Sequence, residues 1–224
     1  MPINSLGSAH LSAHKNSPMN TELYFIYDSH CPWSYAATPL VNALQAAYPE
    51  MKVNLLHSAH YIGKDSAGEE QMQAAARISG LKFGRDHIRY ANSPKSSIKT
   101  ANFMAWLQDK QADKQLAVLN ALQRAHFIEG SPLDNKHDFT AIVETFKLSP
   151  SNKVFKDELS MDAEYALDGI EEIQQVIGTT GFPVLVMTLD DNAIFIDHSK
   201  YLSSPHAVVA AVEKEIAVLK LAKE

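Results

Sequence analysis

The chain has 224 residues, 46% hydrophobic and 21% charged, enough apolar side chain for one elaborated domain or a small fold with a large insertion. Its 20 basic and 26 acidic side chains leave a net charge of −6 without a dense Lys/Arg cluster, which argues against nucleic acid as a partner. A single cysteine excludes an internal disulfide, and without an apolar run of about 18 residues no membrane-spanning helix is expected.

Residues 1–20 are rich in Ser, Asn, His and Ala and read as a disordered leader. They lack the basic start and apolar stretch of a secretory signal. With neither export signal nor disulfide, the expected compartment is the cytoplasm. Order begins at Leu23, where Leu-Tyr-Phe-Ile-Tyr over 23–27 reads as a buried strand. A short loop through Ser29, His30 and Cys31 follows. Pro32 suits the first turn of a helix, where its missing N–H costs nothing. Leu40, Val41, Leu44 and Ala47 keep helical spacing up to Pro49, and a second strand runs over 52–57. A strand-helix-strand unit of this kind makes the two strands parallel.

Residues 64–165 contain no strong strand. Segments 68–79, 83–90, 97–111, 113–127, 135–146 and 151–166 read as helices, punctuated by Pro94, Pro132, Pro150 and by Gly80, Gly84 and Gly130. Asp134 or Asn135, and Ser149 or Ser151, are candidate caps. Phe103, Trp106 and Leu107, with Leu116, Leu119, Leu122 and Phe127, supply this block with a core. A further helix over 168–177 ends at Gly178. A strand over 182–187, a turn at 190–193, a paired strand over 194–196 and an amphipathic helix over 205–222 complete the chain. The fold class is therefore α/β, thioredoxin-like in order (β-α-β … α-β-β-α), with a large all-helical insertion. The expected organisation is a leader over 1–20, a thioredoxin-like domain over 21–63 and 166–224, and a helical insertion domain over 64–165.

Cys31 carries the chemistry. A thiolate is the nucleophilic form of cysteine. Free backbone N–H groups and the positive dipole end at a helix start favour it. The expected result is a lowered thiol pKa and a sulfur exposed at the tip of the sheet. His30 reads as a solvent-exposed loop histidine, and Asp28 as a cap of the turn. His57 and His60 are spaced i, i+3, but no third ligand follows at a familiar spacing, so no metal site is expected.

Cys31-Pro32-Trp33-Ser34 at a strand-to-helix turn, Gly181-Phe182-Pro183 before the third strand, and the helical block between them resemble the DsbA-like thioredoxin superfamily. Tyr24-Phe25-Ile26-Tyr27-Asp28 and Trp33-Ser34-Tyr35 are most similar to its cytoplasmic FrnE-like branch of predicted disulfide isomerases. The resemblance spans about residues 22–222. It implies that Pro183 forms a cis peptide against the active-site sulfur, opening the backbone of Phe182 to an extended substrate. Pro32, Trp33, Tyr35 and Phe182 are the expected substrate-binding residues, with Trp33 and Tyr35 either forming an apolar rim beside the thiol or packing against the helical insertion. Ser34 stands where dithiol members carry a resolving cysteine. Serine can only support the Cys31 thiolate by hydrogen bonding, so net dithiol oxidation within the motif is excluded.

Three functions follow as expectations. The first is a monothiol thiol-disulfide oxidoreductase or isomerase acting through Cys31, with an external thiol as resolver. The second is a glutathione-dependent transferase or isomerase of the kappa-like type, with Ser34 or Cys31 activating bound glutathione. The third is a redox-inactive, peptide-binding thioredoxin-like module. No tightly bound cofactor is expected. Glutathione is a candidate co-substrate, and the expected partners are thiols or disulfides, as peptides or glutathione adducts. No residue pattern sets an oligomeric state.

Overall fold

The computed structural model describes residues 21–190 and 192–221. The expected leader, 1–20, lies outside the described residues, as does Asp191 of the expected 190–193 turn. Four strands, β1 (Thr21–Tyr27), β2 (Lys52–His57), β3 (Val184–Leu189) and β4 (Asn192–Ile196), form one sheet in the order β2-β1-β3-β4. β1 pairs in parallel with β2 and antiparallel with β3, and β3 pairs antiparallel with β4. β1 is central because it is apolar on both sides. Leu23, Phe25 and Tyr27 face the main core with Leu185 and Met187, while Ile26 faces a second cluster with Leu56, Val184, Val186 and Ile170.

The helices are α1 (Pro32–Ala47), α2 (Gly68–Ser79), α3 (Arg85–Arg89), α4 (Ile98–Lys110), α5 (Gln115–Phe127), α6 (Thr140–Thr145), α7 (Met161–Ile177) and α8 (Ala207–Leu221). Leu40, Val41 and Leu44 of α1 share the main core with Val208 and Val212 of α8. Phe103, Leu107, Leu119, Leu122 and Phe139 belong to the same cluster, so the helical block and the sheet bury one continuous apolar interior.

Two helical readings change. The segment read as one helix over 135–146 is a 3-10 turn, Lys136–Phe139, capped by the Asn135 and Asp138 side chains, followed by the short α6. The segments read separately as 151–166 and 168–177 divide elsewhere. A 3-10 turn spans Asn152–Phe155, and a single helix runs Met161–Ile177. The reason is capping: Ser160 Oγ accepts from Ala163 N–H at 3.2 Å, and Gly178 closes the helix at φ 71°. Nothing between residues 165 and 168 competes with those two signals.

Candidate active site

β1 and β2 are parallel, so both deliver their C-terminal ends to the same edge of the sheet. After β1 the chain turns at Asp28–His30, closed by Cys31 N–H donating to Asp28 O at 3.1 Å. Cys31 is the N-cap of α1, with φ −86° and ψ 122°, and Pro32 occupies the first helical position. Its carbonyl accepts the first helical bond, from Tyr35 N–H, at 3.0 Å. The sulfur lies where a capping oxygen would, without making a capping hydrogen bond. The neighbouring Ser34 N–H, Ser34 hydroxyl and Trp33 N–H nevertheless favour negative charge on it, as helix-start donors with no partner inside the helix do.

The thiol itself departs from expectation. Cys31 is only 5% exposed, and burial pushes its thiol up, reinforced by the negative Asp28; the donors from Ser34 and Trp33 pull the other way without prevailing. The physical reason is that a helix N-terminus contributes on the order of 1 kcal/mol, whereas taking an anion out of water costs several.

His30 also differs. It is buried rather than a surface loop histidine. Its Nδ1 lies 2.9 Å from Ser29 Oγ, its Nε2 3.0 Å from the Pro132 carbonyl, and its ring 4.1 Å from that of His126. Asp28 serves as the turn cap and more. Its Oδ1 accepts from His30 N–H at 2.8 Å, and its Oδ2 from His60 N–H at 2.8 Å and Ser97 Oγ at 2.7 Å. Burial alone would raise the Asp28 carboxyl. His57, His30, the Ser97 hydroxyl and the His30 N–H together hold it below the usual carboxylate range.

Ser34 is fully buried, and Pro32 is buried beside it. Trp33 is half-buried, its indole N–H donating to Gln71 Oε1 at 2.8 Å. Tyr35 turns into the helical block, stacked on Phe127 with ring centroids 4.6 Å apart and edge-on to Phe83 at 5.6 Å. The Phe182–Pro183 peptide is cis. The register that pairs Ile26 with Val184 sets Pro183 beside the end of β1, from which the Cys31 turn departs. The half-buried Phe182 ring lies 5.0 Å from that of His60.

His57 does not look outward. Its Nδ1 accepts from Ala59 N–H at 3.0 Å, while its Nε2 lies 2.8 Å from Ser29 Oγ, which in turn donates to Thr100 Oγ1 at 2.8 Å. Among the described residues no group of three or more His, Cys, Asp or Glu is placed to hold a metal ion. None of their helices is long and apolar enough to cross a membrane.

Several site residues are absent from the sequence reading: the Ser29–His57–Thr100 network, Ser97, Gln71 and, above all, Tyr61. Tyr61 is buried, and its phenol lies within electrostatic reach of Cys31. One signal was available. A parallel β1-β2 pair obliges the residues just after β2 to arrive beside those just after β1.

No family model and no curated protein matches the sequence. Among solved structures, the chain is similar to the cytosolic disulfide reductase DsbM from Pseudomonas aeruginosa with GSH, at a TM-score of 0.73 and 20% identity over 88% of this chain and 99% of that one. It is similar to a Nitrosomonas europaea protein provisionally designated a protein disulfide isomerase, at 0.64 and 15% over 82% and 95%. It is also similar to 2-hydroxychromene-2-carboxylate isomerase, at 0.55 and 15% over 88% and 98%. Likeness at these identities carries architecture alone: the chain has the DsbA-like thioredoxin fold.

Proposed function

We propose that the protein is a monothiol thiol-disulfide oxidoreductase or isomerase acting through Cys31. The observation that carries the reading is the position of the sulfur at the N-cap of α1, where Ser34 N–H, the Ser34 hydroxyl and Trp33 N–H favour negative charge on it. That cradle supports negative charge on sulfur at the two moments exchange requires it. First, the Cys31 thiolate attacks one sulfur of a substrate disulfide. An S–S bond forms to Cys31, and the other half leaves as a thiolate that takes up a proton. Second, the thiolate of an external thiol attacks the substrate sulfur of this mixed disulfide. A new disulfide leaves and the Cys31 thiolate returns. Each cycle exchanges one thiol partner, and two cycles with the same external thiol reduce the original disulfide.

Ser34 cannot act as resolver, so the second thiol comes from outside. Glutathione is the proposed co-substrate, supported by the similar DsbM, whose structure holds GSH and which is described as cytosolic. In this reading Cys31 is the nucleophile, Ser34 supports its thiolate, and Pro183 backs the reacting sulfur. Pro32, Trp33 and Phe182 rim the approach, while Tyr35 contributes by packing. The setting proposed is the cytoplasm.

The test is reduction of a small glutathione mixed disulfide by glutathione, coupled to glutathione reductase and followed by NADPH consumption. The wild-type protein accelerates it and Cys31→Ala does not. Equal turnover by the two proteins overturns the reading.

A second reading, a glutathione-dependent isomerase or transferase, is favoured by burial that holds Cys31 as a neutral thiol. There the helix-start donors and Ser34 would support the thiolate of bound glutathione instead. Conjugation of a generic electrophile that survives Cys31→Ala would select it. Turnover in neither assay selects the redox-inactive peptide-binding module.

A further inference from the structure

We propose that Tyr61 is a catalytic residue of this site, its phenolic hydroxyl donating a hydrogen bond to Cys31 Sγ and so holding the thiolate both as attacking group and as leaving group. The inference rests on the exchange reading and names the group that answers its main difficulty.

That difficulty is the charge beside the sulfur, which among the described residues comes from no cation. The charge that acts on Cys31 is the Asp28 carboxylate, of the wrong sign. The helix-start donors approach from the α1 side only. Tyr61 comes from a different element, the segment after β2. Its backbone is pinned: its carbonyl accepts from Ser97 N–H at 2.8 Å and from Ser97 Oγ at 3.4 Å. Two residues of the same segment continue the anchoring, since Ile62 bridges to Ser96 and Gly63 N–H donates to Lys95 O at 2.6 Å. Its ring is flanked by His60, 5.0 Å away and nearly perpendicular, and His60 in turn meets Phe182. The hydroxyl is thus delivered by a fixed backbone and a packed ring, which is the arrangement a preorganised donor needs.

The groups facing this phenol are the Cys31 sulfur and the carboxylates of Asp28 and Asp65. Burial, followed by these three negative neighbours, pushes the phenol well above its ordinary range, so Tyr61 keeps its proton at every pH at which Cys31 reacts. It is a donor and never a base. A neutral hydroxyl donor favours the ionised sulfur over the neutral thiol, because its hydrogen bond to the anion is the stronger one. During exchange the O–H bond stays intact. The hydrogen bond forms to the thiolate, weakens when Cys31 enters the mixed disulfide, and forms again when it leaves.

The test uses the single cysteine as its own reporter. Iodoacetamide alkylation of the full chain is followed against pH for wild type, Tyr61→Phe, and a protein with difluorotyrosine at position 61, a stronger donor of nearly the same shape. Loss of one charge-assisted hydrogen bond lowers the thiolate population near neutral pH about tenfold. The expected result is a titration displaced upward in Tyr61→Phe and downward in the fluorinated protein. Profiles superimposable on wild type overturn the proposal. If Tyr61→Phe does not fold, the fluorinated protein decides alone. Displaced profiles in a protein without disulfide-exchange activity would retain the Tyr61–Cys31 contact and reject the exchange reading. Unmoved profiles in an active protein would do the reverse.

Discussion

The backbone N–H of Asp28 donates to the hydroxyl oxygen of Ser34 at 3.2 Å. The serine in the second position of the motif is therefore held by the very turn that carries Cys31. With its oxygen accepting from Asp28, the hydroxyl keeps its own proton free to favour negative charge on the nearby sulfur, as its backbone N–H does. Ser34 is built into the site as a donor, whatever its relation to a resolving thiol.

Replacing it separates two effects. Ser34→Ala removes the hydroxyl and leaves the Asp28 N–H without a partner. The Cys31 thiol rises further and alkylation near neutral pH slows several-fold, with a stability loss on the order of 1–2 kcal/mol. Ser34→Cys supplies an internal resolver. Incubation with oxidised glutathione then yields an intramolecular 31–34 disulfide, where wild type yields a stable glutathione adduct. Intact-mass spectrometry distinguishes the two, and a persistent adduct on Ser34→Cys would contradict the geometry.

Asp28→Asn produces opposite signs in two measurements. The carboxylate accepts from His30 N–H, His60 N–H and Ser97 Oγ, and an amide can match only part of that set. Thermal unfolding should show a loss of roughly 2–4 kcal/mol. At the same time the negative charge that pushes Cys31 up is gone, so the thiol titrates lower and alkylation at neutral pH quickens. A stable variant with an unchanged thiol would refute both halves.

The buried histidines make the fold acid-sensitive. Burial is the leading cause in each case: it brings His57 and His87 down to about 4 and holds His30 and His126 below the ordinary range. A depressed folded pKa means that the unfolded chain binds more protons below about pH 6.5. Stability is thus fully present above that pH and is lost as the pH falls toward 4. His57 alone contributes roughly 2 kcal/mol of this loss by pH 5. Melting temperatures that stay level between pH 7 and 5 would rule the effect out.

Gly84 is more than helix punctuation. It precedes α3 and donates its N–H to Phe127 O at 2.7 Å, and a Cβ built on it would lie 1.7 Å from Ile128 O. Because the obstacle is backbone rather than a flexible side chain, Gly84→Ala forces the α3 and α5 ends apart. Destabilisation beyond about 3 kcal/mol is expected, read from denaturant titration. Gly169, with open space at the same test position, accepts alanine without such a cost.

The architecture was legible from local pattern. Apolar runs bounded by turn residues marked β1 to β4, Pro32 marked the start of α1, and the order of elements implied the sheet. The misplaced break before α7 shows the limit of that reading: only the cap geometry at Ser160 reveals that one helix spans both segments.

Cys31, Ser34 and Pro183 were legible for the same local reason, since each belongs to a short motif at an element boundary. The state of the sulfur was not. Whether a thiol at a helix start is raised or lowered depends on a balance between nearby donors, which are local in sequence, and exclusion of water. That exclusion is imposed here by the folded surroundings of the sulfur, and its effect reverses the sign expected from the helix start alone. Tyr61 and Ser97 were hidden likewise, because β2, the bridge at Ile62 and the start of α4 bring them to Cys31 only when the chain is folded. The sequence by itself determined which atom stands at the helix start. Tertiary structure decided how much water and which donors that atom meets, because burial and hydrogen bonding are sums over everything the fold brings within a few ångströms.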